Sequence, residues 1–205
     1  HAELRIGESS INITGEWSEG GRFSAETLGQ SPIWMSLQVS DVDAFAEHAV
    51  AAGMKLVRAA QNQFYGHRDA TLQDPFGYTW GVFTVKEEMS VEEMQRRMKN
   101  LHEGPEGGKM PGKGVPHIRP GFRMVTPYLI AENGVALLDF AIAGLGAKEL
   151  GRFVMPTGVH GEVQIGDSIV MIGGGIPGKE FPGSLQPSAL HVYVEDADAA
   201  IRKAV

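Results

Sequence analysis

Hydrophobic and polar residues alternate in short runs along most of the chain, and an apolar repeat every three to four residues occurs in only a few segments. Strict alternation is typical of a half-buried strand, whereas the longer period is typical of an amphipathic helix. Helices are therefore predicted at 42–52, at 91–101, at 134–145 and from 197 to the end. Strands are predicted at 2–6, 10–14, 33–39, 55–59, 64–72, 77–85, 124–131, 148–155, 160–165, 168–173 and 188–194.

The predicted helices carry recognisable signals at their ends. Asp41 and Asp196 each stand just before a helix, where an aspartate side chain accepts hydrogen bonds from the first free N–H groups. Ser90 and Glu93 have the spacing of a capping box at the start of a third helix. Gly146 follows the helix at 134–145, and glycine readily adopts the left-handed conformation that ends a helix.

Two segments near the start of the chain return near its end. HAELRIGES at 1–9 recurs as HGEVQIGDS at 160–168, and VSDVDA at 39–44 recurs as VEDADA at 194–199. The similarity indicates two partial, diverged tandem copies. We therefore expect the chain to be a window on a longer tandem protein.

A segment rich in turn-forming residues separates the two copies. Residues 102–121 contain six Gly and four Pro, with Lys109, Lys113 and Arg119 interspersed. Such a composition buries little surface and predicts a linker. The three cations are predicted to be solvated.

Composition and charge narrow the class of function. The 18 Lys and Arg against 25 Asp and Glu give a net charge of -7, which argues against a general nucleic-acid-binding protein. No apolar run approaches the length of a membrane span, and no hydrophobic leader opens the chain. The absence of Cys excludes disulfides and thiolate metal sites. We expect a cytoplasmic enzyme or small-molecule-binding protein, with no nucleic-acid or membrane partner.

Several segments together resemble one family. QFYGHR at 63–68, DPFGYTW at 74–80 and VTPYLI at 125–130 resemble the glyoxalase/bleomycin-resistance/dioxygenase (vicinal oxygen chelate) superfamily, and within it the PhnB-like branch. The resemblance implies an α+β fold of paired βαβββ modules, which form a half-open mixed sheet with helices on the convex face. It identifies 1–101 as the C-terminal part of a first glyoxalase-like domain and 122–205 as the N-terminal part of a second.

The same resemblance implies a ligand and a mode of assembly. Members of the superfamily usually place their site between modules or subunits, so we expect a small molecule in the concave cleft. A homodimer would supply that arrangement, as would pairing of modules within one chain. Because neither copy is complete, either a neighbouring chain completes each half or 122–159 folds back to complete 1–100.

Metal-using members of the superfamily hold a divalent ion with four side chains on the concave face. The corresponding positions here include Thr126, Trp34, Ala189 and Gly81. These are poor ligands for Ca²⁺ or Mg²⁺, which prefer carboxylates, and for transition metals, which favour histidine. No cofactor is predicted on this basis, although a divalent metal in an atypical site stays possible.

Strand alternation selects other candidates for the concave face. His160 and Glu162 are candidate catalytic residues, because a histidine beside a carboxylate can transfer protons near neutral pH. The alternative is that they are ordinary polar residues on a solvated sheet face. The candidate ligand-binding residues are Tyr128, His191, Tyr193, Trp34 and Thr126. The aromatic members of this group would stack a flat ligand or simply pack.

Two further features are interpreted structurally. Gly173–Gly175 follows a predicted strand but no helix opens after it, so we predict a flexible loop rather than a phosphate-binding loop. Trp80 falls on the helix-covered side of its strand and is predicted to lie in the core.

These residues support two hypotheses about function. The first is a small-molecule-binding protein of the bleomycin-resistance type, acting without the usual metal quartet. The alternative is a metal-dependent lyase, isomerase or dioxygenase with an atypical His/Glu site.

Overall fold

A computed structural model describes residues 1–101, 116–156, 158–176, 190 and 192–205. The chain divides into two compact units, which we call unit 1 (His1–Thr126) and unit 2 (Pro127–Val205). Each contains one βαβββ module, so the predicted α+β class of mixed sheets and few helices is confirmed. No helix within these described ranges is long and apolar enough to span a membrane.

Unit 1 is built from a hairpin, a four-stranded mixed sheet and helices. In its sheet the strand order is β4-β5-β6-β3, with β3 parallel to β6 and the other neighbours antiparallel. Its elements are β1 (Ala2–Ile6), β2 (Ser9–Ile13), a 3-10 turn (Ser18–Gly20), α1 (Ala25–Leu28), β3 (Trp34–Gln38), α2 (Val42–Ala51), β4 (Lys55–Asn62), β5 (His67–Gln73), β6 (Thr79–Val85) and α3 (Val91–Leu101).

Unit 2 repeats the module topology. Its sheet has the order β7-β10-β9-β8, with β7 parallel to β10 and the other neighbours antiparallel. Its elements are β7 (Val125–Ala131, which begins at the end of unit 1), α4 (Gly134–Leu145), β8 (Lys148–Val154), β9 (Gly158–Ile165), β10 (Ser168–Gly175) and α5 (Ala197–Ala204).

One face of each sheet is covered by a helix. In unit 1 the buried side chains of α2 form a core with Leu37, Leu72 and Val82, and Trp80 packs against it as predicted. In unit 2, Leu138 of α4 packs in a second core against every second side chain of β9 and β10, such as Val163. The remaining face of each sheet, which we call its open face, therefore carries the alternate side chains.

The predicted helix caps are present. Asp41 Oδ1 accepts hydrogen bonds from the N–H groups of Asp43 and Ala44 at 3.0 and 3.1 Å. Asp196 Oδ1 accepts one from Ala199 N–H at 2.9 Å. Each aspartate thus satisfies N–H groups that a helix leaves unpaired in its first turn.

The hairpins β1–β2 and β9–β10 share one turn geometry. Gly7 and Gly166 occupy the first central position of each turn, with φ of 57° and 60°. Ile6 pairs with Ser9 in the first hairpin, and Ile165 pairs with Ser168 in the second. A two-residue turn with positive φ only at its first central residue requires glycine there, which explains why this residue recurs in both hairpins.

Two predictions of local structure are wrong. Gly173–Gly175 is not a flexible loop but the buried end of β10, paired with β7 and β9. The predicted strand at 188–194 has no strand structure at its described positions, 190 and 192–194. Among the described residues no strand pairs with these positions, and an extended segment without a paired neighbour is not a strand.

Only the end of the predicted linker is described, from 116 onward; Lys109 and Lys113 lie outside the described residues. A turn at 119–122 is closed by a hydrogen bond from Phe122 N–H to Arg119 O at 3.0 Å. The Arg119 guanidinium lies 4.2 Å from the centre of the Phe122 ring. The Arg119 N–H also donates to Gln38 Oε1 at 2.9 Å, so this turn is attached to the end of β3.

Candidate functional site

Tyr128 and His160 meet on the open face of unit 2. Tyr128 lies on β7 and His160 on β9, with β10 between the two strands. The Tyr128 hydroxyl oxygen is 3.1 Å from His160 Nδ1, and the rings meet edge to face with their centres 5.4 Å apart. The contact therefore spans a full strand of the sheet.

Gly173 of β10 makes this contact possible. It is the cross-strand neighbour of His160 on one side and of Ile130 on the other. A Cβ atom on Gly173 would clash with the Tyr128 hydroxyl oxygen and would lie 2.8 Å from Tyr128 Cε2. Only glycine leaves room for the Tyr128 side chain to cross β10 and reach His160.

Glu162 approaches the other nitrogen of the same imidazole. Its Oε1 lies 3.6 Å from His160 Nε2, and the two side chains are 13% and 31% exposed. The nearby carboxylate favours the tautomer that carries its proton on Nε2. In that tautomer Nδ1 is an acceptor, and the Tyr128 hydroxyl donates to it.

Burial fixes the protonation state of the tyrosine. It raises the pKa of Tyr128 to about 12, and the negative charge of Glu162 acts in the same direction. Tyr128 is therefore neutral and carries its proton throughout the physiological range. The three side chains form one polar cluster, with a hydrogen bond between Tyr128 and His160 and a carboxylate–imidazole approach between Glu162 and His160, and we call this cluster the Tyr–His–Glu array.

Apolar residues lie beside the array on the same open face. Met171 is the cross-strand neighbour of both Tyr128 and Glu162, and Phe153 is the neighbour of His160 on β8. Met171 and Phe153 are buried. The array therefore lies in apolar surroundings, a combination that ligand-binding sites commonly have.

The open face of unit 1 repeats part of this geometry. On β3, Trp34 lies two residues before Ser36, the cross-strand neighbour of Gly81. On β7, Tyr128 lies two residues before Ile130, the cross-strand neighbour of Gly173. A Cβ atom on Gly81 would clash with Trp34 Nε1. Both modules thus place an aromatic side chain of the first strand against a glycine of the last strand.

The residues across from the two glycines differ. Thr71 is the β5 neighbour of Gly81, whereas His160 is the β9 neighbour of Gly173. Two residues further along, Gln73 stands where unit 2 has Glu162. The ionisable pair of the array is therefore specific to unit 2.

Two other predicted ligand-binding residues, Thr126 and Tyr193, have surroundings that differ from the expectation. Thr126 is almost fully buried, and its Oγ1 donates to Arg123 O at 3.4 Å. Tyr193 is 94% exposed and lies outside any strand, so the sheet alternation that predicted its direction does not apply. His191 lies outside the described residues.

The family of the chain follows from comparison with known proteins. The model of the Glyoxalase/Bleomycin resistance protein/Dioxygenase superfamily matches residues 1–82. An uncharacterized protein of Mycobacterium bovis is 33% identical over 107 residues, which are 51% of this chain and 70% of that relative. The chain belongs to the glyoxalase/bleomycin resistance protein/dioxygenase superfamily. An uncharacterized protein of Mycobacterium tuberculosis has the same identity, with 63% of its length covered.

Two solved structures are similar to the chain over part of their lengths. Glyoxalase I from Zea mays matches with a TM-score of 0.47 and 14% identity, over 73% of this chain and 43% of the maize protein. Methylmalonyl-CoA epimerase from Mycobacterium tuberculosis matches with a TM-score of 0.42 and 15% identity, over 71% of this chain and 86% of the epimerase.

The residues at the superfamily's metal positions do not fit a divalent ion. Trp34 offers an indole, Gly81 has no side chain, and the Thr126 hydroxyl is directed to a backbone carbonyl. His160 and Glu162 supply only two donors, and no group of three or more His, Asp or Glu that could hold an ion occurs in the described part of the chain. We derive no step through a metal.

Sequence reasoning placed His160 and Glu162 on the open face but did not find Gly173. The missing signal was the register of β10, which decides what lies under Tyr128. Sequence reasoning also missed Asp69 of unit 1, which accepts hydrogen bonds from Arg58, Gln63 and Tyr65. Strand alternation in β5 predicts that Asp69 lies on the open face, but it does not predict which residues bond to Asp69.

Proposed function

We propose that this protein binds a small molecule on the open face of unit 2, with the Tyr–His–Glu array as its polar anchor. The observation that supports the proposal is the position of His160. Its two ring nitrogens face the Tyr128 hydroxyl at 3.1 Å and the Glu162 carboxylate at 3.6 Å. Ordinary solvated residues would not require a buried glycine to bring them together.

The array defines the chemistry of the ligand. The Tyr128 hydroxyl donates its proton to His160 Nδ1, so its oxygen is left to accept a hydrogen bond from a ligand. The apolar side chains of Met171 and Phe153 near the array favour a ligand that has an apolar body beside its hydrogen-bond donor. The ligand class is therefore a small amphipathic molecule with a hydroxyl or amide N–H group.

The proposal is tested by thermal unfolding with a panel of neutral phenols, primary amides and hydroxyketones. At least one compound is expected to raise the melting temperature saturably. Its affinity should fall about tenfold in His160→Gln, because the variant removes the imidazole that orients the Tyr128 hydroxyl and leaves its oxygen free to accept from the ligand. His48→Gln, on the exposed surface of α2, is the matched control and should bind as the wild type does. Absence of binding across the panel would overturn the proposal, as would equal affinity in His160→Gln.

A second candidate function is a lyase or isomerase that uses the same residues. The supporting observation is that His160 stands between a carboxylate and a neutral hydroxyl, an arrangement able to take and return a proton. Hydrogen–deuterium exchange of a bound ligand's C–H groups in D₂O distinguishes the two functions. Exchange that Glu162→Gln abolishes while binding persists would favour the enzyme. Binding without exchange would favour the binding protein.

We also propose that the chain contains two diverged partial copies of a PhnB-like domain and forms a homodimer. The common turn geometry at Gly7 and Gly166 supports the copies, as do the aspartate caps of α2 and α5. Sedimentation equilibrium tests the dimer. A mass twice that of one chain is expected, and a concentration-independent monomer would contradict it.

A further inference from the structure

His160 controls the direction of the Tyr128 hydroxyl group. The hydroxyl oxygen lies 3.1 Å from His160 Nδ1, and within the described part of the chain no other hydrogen bond reaches it. A phenol hydroxyl carries one proton, which rotates to suit the partner that is present. The protonation state of the imidazole therefore decides whether the hydroxyl offers a ligand its oxygen or its proton.

The two states of the imidazole give the hydroxyl opposite roles. With a neutral ring, Tyr128 donates to Nδ1 and its oxygen is left to accept from a ligand. With an imidazolium, both ring nitrogens carry protons, so Nδ1–H donates to the Tyr128 oxygen. The hydroxyl proton then turns away from His160 and becomes a donor for a ligand. Tyr128 stays protonated in both states, because burial raises its pKa to about 12.

The immediate neighbours of His160 leave this control to the imidazole itself. Its cross-strand neighbours are Gly173 on β10 and Phe153 on β8, and neither of them titrates. It meets Tyr128 from β7 and Glu162 on its own strand. Glu162 is thus the charged group that faces the imidazole.

The next charged residues lie further away or on the covered face. Lys148 of β8 is the cross-strand neighbour of Gln164, which follows Glu162 by two residues on the open face. Arg152 of β8 is bound to Asp139 of α4, the helix that covers the opposite face of the sheet. The charge near the Tyr128 hydroxyl therefore changes with His160.

Protonation of His160 also changes the charge of the array. With a neutral imidazole the array carries the single negative charge of Glu162, which opposes a ligand oxygen that bears partial negative charge. The imidazolium compensates this charge. Hydrogen-bond direction and charge thus favour the same ligand class in each state.

We propose that protonation of His160 exchanges the ligand class of the array, from hydrogen-bond donors at a neutral imidazole to hydrogen-bond acceptors at an imidazolium. This inference rests on the proposed binding function. It adds a second ligand class, neutral molecules that have a carbonyl oxygen and no N–H or O–H group. His160 acts here as a positioning residue, because it determines the ligand class through Tyr128.

The probes are indole, which has an N–H donor and no strong acceptor, and 1-indanone, which has a carbonyl acceptor and no donor. Neither ionises between about pH 5 and pH 8, the range in which histidine as a residue type changes its charge. From the alkaline to the acid end, indole should bind about tenfold more weakly and 1-indanone about tenfold more tightly, since each loses or gains one hydrogen bond. Both midpoints should coincide with that of the His160 ring ¹⁵N titration.

Three variants test whether the effect passes through Tyr128. Tyr128→Phe keeps the titrating imidazole but has no hydroxyl, so the affinity that remains for each probe should be independent of pH. His160→Gln has no titrating ring, and its remaining affinity should also be independent of pH. His48→Gln, on the exposed surface of α2, should keep the pH dependence of the wild type.

Failure of this inference is distinguishable from failure of the proposed binding function. The inference alone is overturned if a probe binds but the ratio of the two affinities is constant over the pH range. It is also overturned if that ratio still changes with pH in Tyr128→Phe. Absence of binding by both probes at every pH overturns it too, and the proposed function falls with it only if the phenol, amide and hydroxyketone panel also fails to bind.

Discussion

Gly173 lies directly beneath the Tyr128 hydroxyl group, at a separation that leaves no room for a Cβ atom. This contact allows a side chain on β7 to cross β10 and bond to His160 on β9. The Tyr–His–Glu array therefore depends on a residue that takes no part in its hydrogen bonds.

The first prediction concerns that glycine. Gly173→Ala should displace the Tyr128 ring and break its hydrogen bond to His160, at a cost of about 1–3 kcal/mol in the free energy of unfolding, as for an overpacked core. Urea denaturation measures the free energy, and the ¹⁵N signal of His160 Nδ1 reports the hydrogen bond.

Gly151→Ala is the matched control for this substitution. Gly151 also lies in a strand of unit 2, but a Cβ atom there would meet nothing within 4 Å. The explanation is contradicted if both alanine variants have the same stability and the same His160 signal.

The second prediction concerns stability at alkaline pH. Burial raises the pKa of Tyr128 to about 12 from a usual value near 10, so the folded state holds this proton when the unfolded state has released it. Its contribution is complete below pH 10 and is lost as the pH rises toward 12. The loss over this window should reach about 2–3 kcal/mol, at 1.36 kcal/mol per pKa unit.

Tyr128→Phe isolates this contribution, because other groups titrate in the same window. The variant should lose less stability between pH 10 and 12 than the wild type does. In an ultraviolet titration of the four tyrosines, the component with a pKa near 12 should disappear in the variant. Parallel stability curves for the two proteins would show that Tyr128 is not buried as described.

The third prediction concerns Asp69, which organises Arg58, Gln63 and Tyr65 on the open face of unit 1. Asp69→Asn removes the negative charge and puts an amide group where one of these donors points. It should destabilise the protein by about 1–3 kcal/mol, the cost of leaving a partly buried polar group unsatisfied. Tyr65→Phe removes only one of the three hydrogen bonds and should cost about 1 kcal/mol. Chemical denaturation would contradict the role of Asp69 if Asp69→Asn were no less stable than Tyr65→Phe.

The fourth prediction concerns the start of α2. Asp41→Ala removes the acceptor for Asp43 N–H and Ala44 N–H and should cost about 1 kcal/mol of stability. Glu47→Ala, an exposed change within the same helix, is the control and should cost less than about 0.5 kcal/mol. Equal melting temperatures for the two variants would contradict the capping role.

Periodicity and end signals predicted most of the fold. The helices at 91–101 and 134–145 have the predicted bounds, because a capping box and a terminal glycine are local signals. Alternation also predicted that His160 and Glu162 share a face, because this follows from the geometry of a single strand.

The pattern of residues along the chain does not predict in which register the strands pair. The approach of Tyr128 to His160 depends on the register of two strand pairs and on the missing side chain of Gly173. The same limit explains the error at Gly173–Gly175, since glycine favours a loop locally and only pairing on both sides keeps it in β10. The predicted direction of Tyr193 assumes that 188–194 is a strand. Among the described residues no strand pairs with this segment, so the assumption does not hold at Tyr193.

The central claim is that the Tyr–His–Glu array anchors a small-molecule ligand. It is tested most directly by the ¹H–¹⁵N signals of the His160 imidazole, recorded while a compound selected from the phenol, amide and hydroxyketone panel is added. We predict a saturable shift of the His160 ring nitrogens that is abolished in Tyr128→Phe, with no change at His48. A compound that binds while leaving the His160 ring signals unchanged would contradict the claim.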